Sequence, residues 1–337
     1  MDRRRTLRAL CATATLATTL GLVGGIAPAT AGAPATFAAR VAIPDAPTAP
    51  SVRMGMSAPK SEWSTRLAEV GGVDARRIFG DLERPENALK LAAAEVAAGR
   101  EPILSFKLPD NDWSGAANGR FDAELKSLAA QLDRLPGRVF VTIHHEPTGN
   151  GSPAAYAAMQ KHVLPLLSPP SNVDAGVIVN GFWWSAGSQG YTDAEIAQWL
   201  PASVLRLAEV VAADTYQGGT TSRIGENAGV KIKRMSAWAG RTGVKRLGIG
   251  EYNGLDAASI KAAGDAVLAD RRFQFACIFN SSVNNRDGVD WVLSGDRLAA
   301  FRTAVRESRR TVSTSAARPG TSSLSRSTPV TTTVAAH

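Results

Sequence analysis

Two stretches of this 337-residue chain hold the residues best suited to chemistry: VFVTIHHEPTGNG, residues 139 to 151, and LGIGEYN, residues 247 to 253. The first sets two of the chain's four histidines beside Glu146 and follows them with a proline and turn-forming residues. The second removes side chains at Gly248 and Gly250 just before Glu251, so that a ligand or another backbone can come close. A carboxyl group whose pKa is raised by its surroundings can donate a proton, and one kept ionised can attack an electrophilic carbon. In a regular strand Thr142, His144 and Glu146 share one face and His145 takes the other. His145 and Glu146 therefore reach a common opening only if the strand kinks or bulges ahead of Pro147 and Gly149. His144, His145 and Glu146 also admit a metal-dependent hydrolase. Zinc, however, needs three or four ligands at usable spacing, and His162, in a helical stretch, and His337, at the far end, do not complete the set. No metal and no other cofactor is expected.

These stretches lie in a chain where short apolar runs alternate with amphipathic ones. Eight strands are predicted, at residues 52–57, 76–80, 101–107, 138–146, 174–184, 209–214, 245–252 and 274–279. Helical patterns lie between them, among them 84–100, 118–137, 192–207 with a break at Pro201, 255–270 and 294–308. Repeated strand and helix over about 250 residues implies parallel pairing, and eight repeats imply a closed (β/α)8 TIM barrel in a single domain spanning 51–310. In such a barrel the chemistry sits at the C-terminal strand ends, where Glu146 and Glu251 fall on strands four and seven.

The ends of the chain read differently from its body. Residues 1–31 have a basic start, a weakly apolar middle and an Ala29-Thr30-Ala31 site, the pattern of a signal peptide cleaved near Ala31. Arg4-Arg5-Thr6-Leu7 leaves the general secretory and twin-arginine routes both open. Residues 32–50 form an Ala/Pro-rich linker, and 311–337 a Ser/Thr-rich tail with little to bury, expected to be disordered or a wall-proximal stalk. No stretch approaches the roughly 18 apolar residues of a membrane span. With Cys11 in the signal, Cys277 stands alone and no intrachain disulfide is expected. Four arginines against Asp2 in residues 1–31, and six against Glu307 in 302–337, account for the whole formal charge of +8. The body is neutral, which argues against a nucleic-acid partner. A secreted, extracellular monomer is expected.

The order and spacing of VFVTIHHEPTGNG, VVAADTYQG, LGIGEYNG and FACIFNSS…DGVDWVL, with the FDAELKSLAAQL helix before the fourth strand, resemble glycoside hydrolase family 26, the retaining β-mannanase-like barrels of clan A. The resemblance covers residues 51 to 308 and implies an endo-acting hydrolase of a β-linked polysaccharide, β-mannan or a related glycan. It implies Glu146 as general acid/base, Glu251 as nucleophile, His145 as a neighbour of the acid that binds the sugar or tunes the proton, and Tyr216 as the group that hydrogen-bonds the nucleophile, with Asp214 beside it. The chain departs from the family at Thr142, where an arginine is common, and at Thr148, where an asparagine is. Those departures and the tail motivate an alternative, a catalytically degenerate carbohydrate-binding or cell-wall-associated barrel.

A pyranose packs its apolar face on an aromatic ring. Trp113 after strand three and Trp183 or Trp184 after strand five are candidate platforms, with Asp110 and Asp112 as hydroxyl acceptors. His144 and Tyr252 complete the candidate substrate-binding set. Trp291 is placed to close the last loop, whereas Trp63, Trp199 and Trp238 fall in helical stretches as packing residues.

Overall fold

The computed structural model describes residues 52–283 and 289–316, with side chains through residue 310. The predicted signal peptide, the linker and the tail beyond Ala316 lie outside the described residues. Eight strands, β1 (Arg53–Ser57), β2 (Ala75–Asp81), β3 (Glu101–Lys107), β4 (Val139–Ile143), β5 (Val173–Asn180), β6 (Val210–Tyr216), β7 (Leu247–Asn253) and β8 (Phe273–Phe279), close into a barrel in chain order. Every neighbouring pair is parallel, including β1 with β8. This is the (β/α)8 TIM barrel that the alternation implies. Ten α-helices lie among the described residues: α1 (Trp63–Val70), α2 (Glu86–Ala97), α3 (Trp113–Ala117), α4 (Asp122–Asp133), α5 (Pro153–Leu167), α6 (Asp193–Trp199), α7 (Ala202–Leu205), α8 (Ala228–Thr242), α9 (Ala257–Leu268) and α10 (Gly295–Ala316). None among the described residues is long and apolar enough to cross a membrane.

Local signals set the helix boundaries. Thr192 and Glu195 form a reciprocal capping box at the start of α6, satisfying two backbone donors that the first turn leaves open. Pro201 then separates α6 from α7, since its ring and missing N–H cannot continue a helix. On α4, Leu125, Leu128, Ala129 and Leu132 make the buried stripe, the i, i+3, i+4, i+7 pattern of a helix laid on a sheet. Helix α10 runs to Ala316, six residues into the segment expected as tail.

The barrel interior is layered. A separate apolar cluster of Ala75, Ile103, Phe140, Ile178, Val210, Ala212, Phe275 and Cys277 fills the lower part. Because side chains alternate along a strand, the inward residues above this floor follow by steps of two. They run from Ala75 to Arg77 and Phe79 on β2, from Ile103 to Ser105 and Lys107 on β3, and from Ala212 to Asp214 and Tyr216 on β6. Each series passes from apolar floor to buried polar layer to cleft wall. The large rings of the floor, Phe140 and Phe275, lie 4.9 Å apart. Room for Phe275 comes from Gly248, where a Cβ would sit 2.5 Å from the ring.

Phe140 is fully buried, so Phe140→Ala should destabilise the fold by about 3–5 kcal/mol through lost burial and the cavity left behind. Urea unfolding monitored by tryptophan fluorescence checks this; a loss below about 1 kcal/mol would contradict a close-packed floor.

Candidate active site

Strand β4 stops at Ile143, and the next three residues do not continue its pleat. His144 has φ 59° and Glu146 φ 50°, both in the left-handed region that non-glycine residues adopt at a cost of order 1–3 kcal/mol each. Many hydrogen bonds impose the conformation. The His144 amide donates to the Phe106 carbonyl at 2.8 Å, and the Glu146 amide to the Ile178 carbonyl at 3.0 Å. Gln160 Nε2 donates to the Ile143 carbonyl at 2.8 Å, and the Thr148 amide to Asn180 Oδ1 at 2.9 Å. Trp183 Nε1 donates to Thr148 Oγ1 at 2.9 Å. The double kink undoes strand alternation, so that His145 and Glu146 both face the cleft while His144 turns away.

Glu251 arrives by another irregularity. Ala213 pairs with Ile249 but Asp214 pairs with Glu251, so Gly250 is an extra residue in β7, a bulge that re-aims the next side chain. A Cβ on Gly250 would stand 2.4 Å from Asp214 Oδ1 and 2.9 Å from Ile178 Cδ1, so only glycine fits. The space that glycine opens at Gly248 and Gly250 is taken by Phe275 and Asp214. Glu251 then turns inward, where Ser57 Oγ donates to its Oε1 at 2.9 Å and Tyr216 OH to its Oε2 at 2.6 Å.

The cleft has a volume of about 570 Å³ and is lined by Phe79, Lys107, His145, Glu146, Tyr216, Glu251, Phe279 and Trp291. Glu146, in the kink that follows β4, and Glu251, on β7, thus share one opening. Asn180 Nδ2 stands 3.5 Å from Glu146 Oε1, at the outer limit of a hydrogen bond. The Tyr216 ring packs against Trp291 and Phe279, with centroids 5.2 and 6.1 Å away. Lys231 Nζ donates to the Tyr216 carbonyl at 2.9 Å, fixing the strand end from outside.

Beneath the cleft floor lies a buried charge cluster. Arg77 Nη2 is 3.7 Å from Asp214 Oδ2, and both side chains are almost fully buried. Burial pushes the Asp214 carboxyl well above the usual carboxylate range; Arg77 opposes this, and the charges of Glu251 and Glu146 add to it. Burial also pushes Glu251 up, against the Arg77 charge and the hydrogen bonds from Tyr216 and Ser57. Tyr216 is driven well above its ordinary value, by burial first and by Glu251 next, so its hydroxyl keeps its proton and remains a donor.

Both histidines are neutral in the working range. Burial, then Lys107, lowers His144 to about 4. Burial, then Arg77 and Lys107, lowers His145 to about 2. His145 Nδ1 and Ser105 Oγ are 2.7 Å apart, which leaves Nε2 as the ring nitrogen available to a ligand. Donor atoms of His145, Glu146 and Asp214 lie within 4.8 Å of one another, so these three, rather than His144, His145 and Glu146, are the residues that could hold a metal. Arg77 already supplies a positive charge at Asp214 and would repel a second.

Several expected binding residues lie elsewhere. Trp113 is buried, edge-on to His144 and to Tyr156 at 4.9 and 5.4 Å. It supports the β4 kink from behind. Asp112 caps α3 by accepting from the Gly115 amide at 2.7 Å and pairs with Arg120 at 2.8 Å. Trp183 and Trp184 are both buried, because after β5 the chain coils into a 3-10 turn over Gly181–Trp184 where strand alternation does not apply. Tyr252 is buried on the outward side of β7, beside the bulge that turns Glu251 in. The cleft's aromatic walls are instead Phe79, Phe279 and Trp291. Ser57, Arg77, Phe79, Lys107, Asn180 and Phe279 were not anticipated; reading inward positions by twos up β2, β3 and β8 finds Arg77, Phe79, Lys107 and Phe279.

No protein-family model matches the chain, and no curated protein sequence does. Solved structures do resemble it. An engineered protein is 13% identical, with a TM-score of 0.53 over 77% of this chain and 70% of its own. A fungal β-1,4-galactanase is 12% identical, with a TM-score of 0.53 over 74% and 98%. A GH5_18 protein from Streptomyces cattleya, solved with GlcNAc, is 15% identical, with a TM-score of 0.52 over 78% and 81%. The likeness is one of fold.

Because the folded-state pKa of Glu251 is raised above the ordinary 4.5, the protonated form is favoured by folding. Its stabilising contribution is complete below about pH 4.5 and is lost as pH rises through the folded value. Glu251→Gln should therefore raise Tm at pH 7, with the gain shrinking toward pH 4 as the parent carboxyl protonates. Calorimetry at the two pH values checks this; an equal gain at both would refute the raised pKa.

Proposed function

We propose that the protein is a retaining glycoside hydrolase that cleaves a β-linked polysaccharide, with β-mannan or a related glycan as substrate and a mannanase-like, family 26 character. One observation carries this reading: Glu146 and Glu251, from separate strands, line the same cleft, and Glu251 has a hydrogen-bond donor on each carboxylate oxygen. The fold likeness to a β-1,4-galactanase supports the reading.

The chemistry gives the two carboxyl groups opposite roles. Glu146, protonated, gives its proton to the glycosidic oxygen as that bond breaks. Glu251, ionised, attacks the anomeric carbon from the opposite face and forms a glycosyl-enzyme ester. Glu146, now a carboxylate, takes a proton from water, and the water oxygen displaces Glu251 with net retention. Tyr216 and Ser57 aim the Glu251 oxygens, and Arg77 offsets the burial that would otherwise protonate them. Neutral His145, next to the acid, offers Nε2 to a sugar hydroxyl. Phe79, Phe279 and Trp291 are the proposed stacking walls. Thr148, one of the departures from the family pattern, holds Asn180 and Trp183, so the kink that presents Glu146 survives it.

Removing the nucleophile should abolish turnover, lowering kcat at least about 10⁴-fold for Glu251→Ala. Glu146→Ala should still cleave aryl glycosides with good leaving groups and should regain rate with azide, giving a glycosyl azide of retained configuration. Parent-like activity in both variants on mannan, glucan and xylan would overturn the assignment.

The protein is further proposed to be exported and to act outside the cell as a monomer. Edman sequencing of protein recovered from culture medium should begin at or near Gly32, and light scattering should give a single chain mass. Retention of an intact N-terminus inside the cell would reject export.

A further inference from the structure

The edge of the cleft formed by β2 and β3 carries a second pattern that cleavage of a neutral glycan does not require. Phe79 and Lys107 line the main cleft and also a side pocket of about 270 Å³, shared with Gly80, Asp81 and Ser105. The two openings are therefore continuous past these two residues. Register pairs Phe79 with Ser105 and Asp81 with Lys107, so Lys107 stands on the adjacent strand, one inward step above the level of Phe79.

Phe79 is 46% exposed, a large apolar residue at the wall of a cleft. It is held in place from beneath: the Arg77 guanidinium carbon is 4.7 Å from its centroid, and the His145 ring is 5.3 Å away, tilted by 53°. A fixed ring with an open face is a platform for the apolar side of a pyranose. Lys107 is exposed, and among the described residues no carboxylate lies within 4.0 Å of its ammonium. The nearest competitor by register, Asp81, is 3.5 Å from Arg84 Nη2 instead. The Ser105 hydroxyl below is engaged by His145. The side pocket thus offers an incoming sugar one aromatic face and one ammonium group beside it, with the charge of the Asp81 carboxylate on its rim offset by Arg84.

We propose that this edge is a subsite for a sugar unit bearing a carboxylate, a uronic-acid residue of the glycan, with its ring on Phe79 and its carboxylate on Lys107. The inference rests on the glycosidase reading and adds the substrate's charge to it. A neutral pyranose would use the Phe79 face and leave the ammonium solvated, whereas an acidic unit uses both groups, which separates two glycans of identical backbone. Lysine suits this as a mobile point charge that tolerates variation in where the carboxylate falls.

The test is isothermal titration calorimetry on the full chain with matched β-1,4-linked manno- and gluco-hexasaccharides. Each is used unmodified and with its C6 hydroxyl groups oxidised to carboxylates. The oxidised form should bind roughly fivefold tighter at low ionic strength, with the advantage fading as sodium chloride approaches about 0.5 M. Lys107→Arg should keep the preference and Lys107→Met should lose it, each checked for native circular dichroism. Equal or weaker binding of the oxidised form, with the unmodified form bound, overturns this inference and leaves the glycosidase reading intact. A preference that persists in Lys107→Met also overturns it, placing the acid elsewhere. Binding of neither form overturns the inference together with the reading beneath it.

Discussion

Three carboxyl groups and one guanidinium share the space above the barrel floor, and the rest of the structure is arranged around that imbalance. Asp214 and Glu251 are buried, and the Asp214 carboxyl also feels the charges of Glu251 and Glu146. Bringing several such groups out of water is unfavourable unless charge and hydrogen bonds compensate. Arg77 supplies the charge, while Tyr216 and Ser57 supply donors to Glu251. Gly250 lets Asp214 come within reach of β7. The apolar layer below admits no partner for these groups, so the compensation must come from the sides and from the cleft.

The scaffold divides its labour by height. The lower interior is close-packed hydrocarbon and sulfur, the middle is charged and buried, and the top opens to solvent with aromatic walls. Outside, Arg76, next in sequence to Arg77, faces the opposite way. It pairs with Glu95 on α2 at 2.8 Å and lies 3.9 Å over the Trp63 ring. Two consecutive arginines therefore serve the helix layer and the barrel interior by the simple alternation of a strand.

That alternation also explains what could be seen in the sequence. All eight strands, their closure into a barrel and the two glutamates at strand ends follow from apolar runs separated by helical periodicity. Local irregularities do not. Counting by twos from Gly248 places Gly250 inward and Glu251 outward; only the extra residue in β7 brings the carboxylate in, and a bulge has no reliable composition. The double left-handed turn at His144 and Glu146 is imposed by partners on other elements, such as Phe106, Ile178 and Asn180, more than thirty residues away. Tryptophans attract attention as sugar platforms, yet Trp113, Trp183 and Trp184 are consumed by packing behind the β4 kink and the β5 turn. Phe79 and Phe279, less conspicuous, line the cleft because they stand near the tops of the inward series on β2 and β8.

The neutral rings of His144 and His145 carry one last consequence. Imidazoles ordinarily change charge near neutrality and make a protein responsive to mild acidification. Here burial and nearby cations, Lys107 at His144 and Arg77 with Lys107 at His145, have moved both titrations well below neutrality, so at neutral pH the pair behaves as fixed dipoles rather than as a sensor. Mild acidification leaves the imidazole at this mouth, that of His145, uncharged, and the response of the cleft to acidity belongs to its carboxyl groups.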